Sequence, residues 1–374
     1  MTALHIMLSD IVHESRLLKE CRSLNKKMGL IIMVYGIYRD ELPFYENRDF
    51  VNIKRFSFIK ANHKFLRIIN YIACCWKILK EALYLKPHII HAHSLNTLPV
   101  SCFIAWRLKV PVIYDAHEYE TETVGLNWFT KKIKLIVEKM FIGYADAVIN
   151  VGDSIAEEYV KLYGITKPYV LMNCPLYQKI DKHDHFREEF GIPGHHIIFL
   201  YQGILVPGRG LPQLLEAFAA MHDIPVNLVI MGYGVLESMV KEYSYRFKNI
   251  HHKSAVLPSE VLAWTSSADI GLATGDNVCW SYYYSLPNKL FEYLMAGLPV
   301  LGSNLYEIKK IVEYHELGWV FKENTAEEIE KTVRKIVFDD LSKYKANTQK
   351  TVEIYNWENQ EKTLINIYKE LLQV

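Results

Sequence analysis

The sequence predicts an α/β protein built from two doubly wound, parallel-sheet domains. Two observations carry this expectation. Short apolar runs alternate with stretches of helical apolar period through nearly all 374 residues, the pattern of parallel strands joined by crossover helices. The alternation stops between residues 173 and 193, in a polar stretch holding Cys174-Pro175, Asp181-Lys182-His183-Asp184-His185 and Gly191-Ile192-Pro193-Gly194. That stretch reads as a linker with a short helix around Phe186, after which a second sheet begins. A chain of this length can bury two sizeable cores.

In the first domain, residues 1–173, strands are expected at 4–8, 30–35, 51–58, 87–92, 111–115, 147–151 and 169–172. The run Leu30-Ile31-Ile32-Met33-Val34-Tyr35 is apolar throughout, as suits a strand covered on both faces. Helices fall at 15–28, 63–84, 98–108, 128–145 and 154–163, with Gly29 as the stop of the first. In the second domain, residues 174–355, strands are expected at 196–202, 226–231, 250–254, 270–273, 298–302 and 319–321. Helices lie between them at 211–222, 236–246, 258–267, 287–296, 307–314 and 326–338. An amphipathic helix at 357–372 occupies the last segment, 356–374. Both domains are Rossmann-like. Ligands of such sheets bind outside the carboxyl ends of the strands, so the candidate residues follow strands and face a cleft between the domains.

Half the residues are hydrophobic and the formal net charge is +1, which gives no electrostatic footprint for nucleic acid. The cysteines, Cys21, Cys74, Cys75, Cys102, Cys174 and Cys279, form no C-x-x-C pair and read as reduced thiols of a cytosolic protein. The apolar run near Met1 is short and lacks a basic leader, so no signal peptide is expected. The apolar run 68–76 is bracketed by Arg67 and Lys77 and is too short to span a bilayer.

The stretch from Ser285 to Val300, Ser-Leu-Pro-Asn-Lys-Leu-Phe-Glu-Tyr-Leu-Met-Ala-Gly-Leu-Pro-Val, reads as a helix with its start, its stop and the next strand. Ser285 is the expected N-cap, Pro287 suits the first turn, and Gly297 suits the stop. Lys289 puts a cation in the first turn, where a helix ordinarily favours acids. Either it binds an anion such as phosphate with the free N–H groups, with Glu292 accepting from ligand hydroxyls, or Lys289 and Glu292 are a surface ion pair. Gly203-Ile204-Leu205-Val206-Pro207-Gly208-Arg209-Gly210 follows the first strand of this domain. It is either a phosphate-binding loop with Arg209 as its cation or a flexible loop with a surface arginine. Gly232, in Met231-Gly232-Tyr233-Gly234, permits either close ligand approach or a tight turn.

In the first domain, Tyr114-Asp115-Ala116-His117-Glu118 ends a strand. His117 there either donates to a substrate hydroxyl or is a core histidine paired with Glu118. His91 and His93 share a strand face, but no third ligand has a useful spacing, so no metal is expected. His183 and His185 lie in the linker. Between 54 and 80 there are seven basic residues and no acid: Lys54, Arg55, Lys60, Lys64, Arg67, Lys77 and Lys80, interleaved with Phe56, Phe58, Phe65, Tyr71 and Trp76. Such a segment suits an anionic membrane surface, with Lys131, Lys132 and Lys134 adding to it, or is a solvated basic face over a core helix.

Together these residues resemble the family-four retaining glycosyltransferases of GT-B fold, over nearly the whole chain. The resemblance is carried by Ser285 to Val300, followed by Glu307-Ile308-Lys309-Lys310-Ile311-Val312, by Tyr201-Gln202-Gly203 with Arg209-Gly210-Leu211, and by Tyr114 to Glu118. The ending from Tyr355-Asn356-Trp357-Glu358 resembles the family's last helix, which crosses back onto the first domain. The resemblance implies a nucleotide-sugar donor on the second domain. Arg209 and Lys289 would hold the diphosphate, Glu292 the ribose, and His117 would lie near the transferred sugar. Gly203, Gly232, Tyr284, Ser285, Leu286, Pro287 and Asn288 complete the implied donor site. No metal or other cofactor is implied, since basic side chains and helix ends neutralise the leaving diphosphate.

Three departures stand out. Tyr284 occupies the place of the family's first glutamate, and Gly203 that of an arginine. The glycine-rich loop after the first strand is replaced by residues 9–16, which makes Asp10, His13 and Arg16 acceptor-side candidates beside His93 and Glu118. The expected activity is transfer of a hexose or modified hexose from a UDP- or GDP-sugar to a glycan acceptor. The acceptor is expected to be lipid-linked, in cell-surface polysaccharide synthesis, with the protein cytoplasmic and peripheral on the inner face of the membrane through Lys60, Lys64, Arg67, Lys77 and Lys80. A nucleotide-sugar epimerase of the same architecture and a non-catalytic glycan-binding relative are the alternatives.

Overall fold

The computed structural model describes residues 1–39, 41–58 and 63–374, with Lys64 described by its backbone alone. The chain divides into two compact units, Met1–Met172 with Gln360–Val374, and Asn173–Asn359.

The first unit carries β1 (Thr2–Ile6), β2 (Ile31–Tyr38), β3 (Tyr45–Arg48), β4 (Val51–Ser57), β5 (Ile89–His93), β6 (Val112–Ala116), β7 (Ala147–Asn150) and β8 (Tyr169–Val170), in the order β3-β4-β2-β1-β5-β6-β7-β8. The neighbours pair in parallel except β3 and β4, which form an antiparallel hairpin at the edge. Sequence reading missed β3 because Tyr-Glu-Asn-Arg has no apolar alternation. As an edge strand it needs none, and polar side chains discourage pairing with another chain. The inner strands are buried on both faces, and register then decides which polar residues meet. His5 sits beside His91, and His93 beside Asp115. The helix Ser15–Met28 buries Leu17, Cys21 and Leu24, and ends at Gly29 in the left-handed conformation. From the helix Trp357–Leu372, Leu364, Ile367 and Tyr368 are buried, and Tyr368 reaches the histidines of β1 and β5.

The second unit carries β9 (Ile197–Ile204), β10 (Val226–Tyr233), β11 (Ile250–Lys253), β12 (Ile270–Ala273), β13 (Val300–Ser303) and β14 (Gly318–Phe321), in the order β11-β10-β9-β12-β13-β14. The paired neighbours run parallel. Phe199, Tyr201, Leu214, Phe218, Leu228 and Ile230 lie in its main apolar core. The helix Asn288–Met295 packs with Leu290, Phe291, Tyr293, Leu294 and Met295 buried. Gly297, φ +72°, follows it, with Leu298 N–H donating to Tyr293 O at 2.9 Å. The stop is therefore the left-handed turn that a glycine permits. Its start differs from expectation. Pro287 is the N-cap, no side chain caps the helix, and the Ser285 hydroxyl instead donates to Tyr282 O at 2.9 Å.

Candidate donor and histidine sites

In the second unit, the loops after β9, β12 and the helix start Asn288–Met295 bring together cations and aromatic rings. Lys289 Nζ lies 3.4 Å from the Tyr201 ring centroid. It is sealed from solvent and has no hydrogen-bond partner among the described residues. Burial, then the neighbouring Arg209 charge, push the Lys289 amine well below the usual lysine range, while Glu292 works in the opposite direction. The Arg209 guanidinium stacks 4.3 Å from the centroid of Tyr282, and its backbone carbonyl accepts from Thr274 Oγ1 at 2.9 Å. A buried amine without a partner, set beside a guanidinium, forms a site short of negative charge. An anion bound there would relieve both costs.

Glu292 is not the surface partner of Lys289 that a bland reading of the helix suggested. Its Oε2 accepts from Gln202 Nε2 at 2.5 Å, and Gln202 Oε1 in turn accepts from Thr265 Oγ1 at 2.7 Å. Gly203 adopts φ +123°, and a Cβ on it would sit 3.8 Å from Lys289 Nζ, so the bare backbone here lies against the lysine head. Gly232 has a different reason. A Cβ there would fall 1.9 Å from Gly203 O, so the ends of β9 and β10 can run together only with glycine at this place. Tyr284, where the resemblance expects an acid, joins an aromatic cluster. It stacks on Trp280 at 5.7 Å and meets Tyr306 edge-on at 5.8 Å. Leu286 is half-buried and Asn288 exposed; Asn288 Oδ1 accepts from Asn173 Nδ2 at 2.9 Å.

In the first unit, alternation along β6 sends Tyr114 and Asp115 to opposite faces. Tyr114 donates to Glu138 at 2.5 Å, where Tyr159 and Tyr163 also donate. Asp115 is gripped by Arg16, Nε to Oδ2 at 2.9 Å and Nη2 to Oδ1 at 2.8 Å. Burial opposes the Asp115 charge, but Arg16 and then His117 hold its carboxyl well below the usual range. His117 Nε2 lies 3.2 Å from Asp115 Oδ2 and 3.0 Å from His93 Nδ1. The chain continues from His93 Nε2 to His5 Nδ1 at 2.9 Å, from His5 Nε2 to the Tyr368 hydroxyl at 3.2 Å, and from there to His91 Nδ1 at 3.0 Å. Burial keeps His5 and His91 well below the usual histidine range and pushes His93 down to about 4.

These contacts revise the roles read from sequence. His117 pairs with Asp115 and His93, not with Glu118, which is exposed. Arg16, an acceptor-side candidate, is buried in the Asp115 ion pair and donates to Leu171 O at 2.6 Å. His93, another, is fully buried. Asp10 is half-buried and pairs with Arg39 at 2.8 Å, and His13 is exposed. His5, Glu20, His91 and His93 each offer a ligand atom, all within 4.8 Å of one another, so a third and a fourth group do join the strand pair. Their rings, however, stack. His91 and His93 lie 13° from parallel at 4.3 Å, His5 and His93 21° from parallel at 5.2 Å. A metal lies in the plane of each imidazole it binds, and near-parallel rings do not aim their lone pairs at one point. What these residues form is a hydrogen-bonded stack.

The basic segment divides likewise. Lys54 pairs with Glu81 at 2.5 Å, and buried Arg55 with Glu46 at 2.7 Å. Lys77 donates to Ser57 at 2.8 Å, and Lys80 lies over Trp76 at 5.5 Å. Arg67 is exposed; Lys60 lies outside the described residues, as does the Lys64 side chain.

Comparison with known proteins gives the class of the protein, a glycosyltransferase. Residues 182–353 match the family described as Glycosyl transferases group 1, and residues 19–174 match Glycosyltransferase Family 4. The chain belongs to the group 1 glycosyltransferases, with the GT-B fold. It is 23% identical over 363 residues to the uncharacterized glycosyltransferase MJ1607 of Methanocaldococcus jannaschii, covering 89% of this chain and 88% of that protein. It is 22% identical over 284 residues to TuaC of Bacillus subtilis, a glycosyltransferase assigned to teichuronic acid biosynthesis, covering 74% of this chain and 69% of that one. Among solved structures, Anabaena Alr3699/HepE in complex with UDP and glucose superposes with a TM-score of 0.74 at 13% identity, covering 99% of this chain and 100% of that chain.

Proposed function

We propose that this protein is a retaining hexosyltransferase. It takes a hexose or modified hexose from a UDP- or GDP-sugar and passes it to a lipid-linked glycan in cell-surface polysaccharide synthesis. The observation that carries the donor reading is the orphan Lys289 amine beside Arg209, at a helix start with no capping side chain. Likeness to a protein solved with UDP and glucose supports it, and likeness to TuaC supports the polymer. In this mechanism Lys289, Arg209 and the first N–H groups of the helix Asn288–Met295 stabilise charge building on the leaving diphosphate. The acceptor hydroxyl attacks from the leaving-group face, and a diphosphate oxygen takes its proton. No resident metal is required for this charge balance.

A thermal-shift series with UDP, GDP, UDP-glucose and GDP-mannose tests the donor reading. A ligand at a hundred times its Kd stabilises by about 2.7 kcal/mol, so one nucleotide series should raise Tm. If neither does, the donor reading falls. Sugar release measured with and without an acceptor glycan separates a transferase from an epimerase, which needs none. Within the site, Glu292→Gln should weaken UDP or GDP by about tenfold, as the loss of charged hydrogen bonds to hydroxyls predicts. Inorganic pyrophosphate, which lacks those hydroxyls, should be hardly affected. Equal losses for both ligands would make Glu292 a scaffold for Gln202.

The reading also includes docking of the first unit on an anionic membrane. Three helices that pack side by side, Lys64–Leu85, Leu98–Leu108 and Trp128–Phe141, expose large apolar side chains. Phe65 is 72% exposed, Trp106 70% and Trp128 71%. Patches of this kind mark interaction surfaces. Lys80 over Trp76 and Lys132 over Trp128 set cations beside the rings, as at a lipid headgroup boundary. No helix among the described residues is long and apolar enough to cross a membrane. Sedimentation should show binding to phosphatidylglycerol vesicles that weakens with salt and that Trp128→Ser with Phe65→Ser reduces. Binding indifferent to lipid charge, salt and both substitutions refutes the docking.

A further inference from the structure

His117 is a half-buried side chain with one nitrogen turned inward. Nε2 has Asp115 Oδ2 at 3.2 Å and His93 Nδ1 at 3.0 Å, whereas Nδ1 makes no hydrogen bond among the described residues. A neutral imidazole carries one proton, so the inward partners decide which nitrogen holds it. His93 Nδ1 can accept or donate. Asp115 can only accept, because Arg16 grips both of its oxygens. An unprotonated Nε2 would set a lone pair against a buried carboxylate, which is costly.

We propose that Asp115 is a positioning residue that fixes His117 as the Nε2–H tautomer, leaving Nδ1 as a hydrogen-bond acceptor for a substrate hydroxyl. This rests on the reading that His117 meets the transferred sugar, and it reverses the donor role expected from the sequence. The rest of the stack fits this polarity. With His93 Nε2–H given to His5 Nδ1, His5 Nε2–H to the Tyr368 oxygen and Tyr368 O–H to His91 Nδ1, each of these close contacts has one donor and one acceptor. The charged groups around it are Arg16 and Glu20, both from the helix Ser15–Met28. Their ion pair at 3.1 Å leaves the Asp115 grip intact. The sequence does not show this arrangement, because the partners of Asp115 and His117, Arg16 and His93, are brought in from distant segments by the register of the sheet.

The test is the tautomer itself. In protein labelled with 15N at histidine, with His117 assigned by its loss in His117→Gln, long-range proton–nitrogen correlations should give a protonated Nε2 and a bare Nδ1. In Asp115→Asn, the amide oxygen should keep the Oδ1 place opposite Arg16 Nη2, which gives up the Nε contact and sets the NH₂ at the Oδ2 place facing His117 Nε2, so the tautomer should invert. Transfer should then slow by about a hundredfold or more, the range set by a misdirected catalytic imidazole, with donor Kd unchanged. A protonated Nδ1 in the wild type overturns the proposal, and so does an Asn variant that keeps the Nε2–H form. An inverted tautomer with normal kcat overturns the positioning role. If Asp115→Asn does not fold, the wild-type spectrum alone decides the assignment. If no nucleotide sugar binds, the donor reading fails separately, because the spectrum requires no turnover.

Discussion

Lys289→Ala should bind UDP or GDP about tenfold or more weakly than the wild type, as loss of a charge-assisted hydrogen bond predicts, and should still fold. The usual objection to removing a half-buried lysine is that a partner is stranded. Here the Nζ has no such partner among the described residues and repels Arg209, so the apo protein should melt at the same temperature or higher. Arg209→Ala should weaken the diphosphate similarly. The two losses should not add, because removing Arg209 leaves the burial of Lys289 but relieves the lesser, electrostatic part of what depresses its pKa. A pH signature follows. Free Lys289 has a depressed pKa, by burial first and Arg209 second, and a bound diphosphate raises it. Binding therefore takes up a proton, and affinity declines as pH rises from the depressed value of the free protein toward the raised value of the complex. Calorimetry with unchanged affinity in both variants would sink the phosphate assignment, and a flat pH profile would show that binding leaves the protonation of Lys289 unchanged.

His117→Ala should lower kcat by about a hundredfold, the low end for loss of a catalytic imidazole, with little change in donor Kd. In the proposed role its contribution falls on the transferred sugar more than on the nucleotide. Melting temperature separates the alternatives. The variant loses hydrogen bonds to Asp115 and His93, but its side chain is 20% exposed and Arg16 still holds Asp115. A protein that melts early and transfers normally per folded molecule would make His117 a structural residue.

Local chemistry was legible in the sequence; long-range register was not. The helix beginning at Ser15 and its stop at Gly29 could be read from apolar spacing and one glycine, because both are decided within a few residues. The same holds for Gly297. Ser285 misled because the chain bends through Pro287 before the helix begins, which carries the hydroxyl back to Tyr282. Arg209 could be found from its place after a strand and Lys289 from the first turn of its helix, but not the state of the lysine, which depends on its burial and on Arg209 beside it. The histidine stack was out of reach for a different reason. His5 meets His91 only because β1 lies between β2 and β5, and Arg16 turns inward only because Asp115, 99 residues away, waits there. Beside its sequence neighbours alone, His91 shares a face only with His93, and Arg16 reads as a cleft-facing candidate.

Tyr368 also constrains how this chain can fold as it is made. It closes on His5 across 363 residues, after the whole of Asn173–Asn359 has been synthesised. Until then β1 and β5 hold buried ring nitrogens that lack their last partner, and the surface that will receive Leu364 and Ile367 is bare. The first unit to leave the ribosome is thus the last to be finished. Its last contacts are among the most distant along the chain, and until they form the face that receives this helix is open to misassembly. A chain cut before Tyr368 should stay in that state, soluble only with a chaperone, even though every strand of both sheets is present.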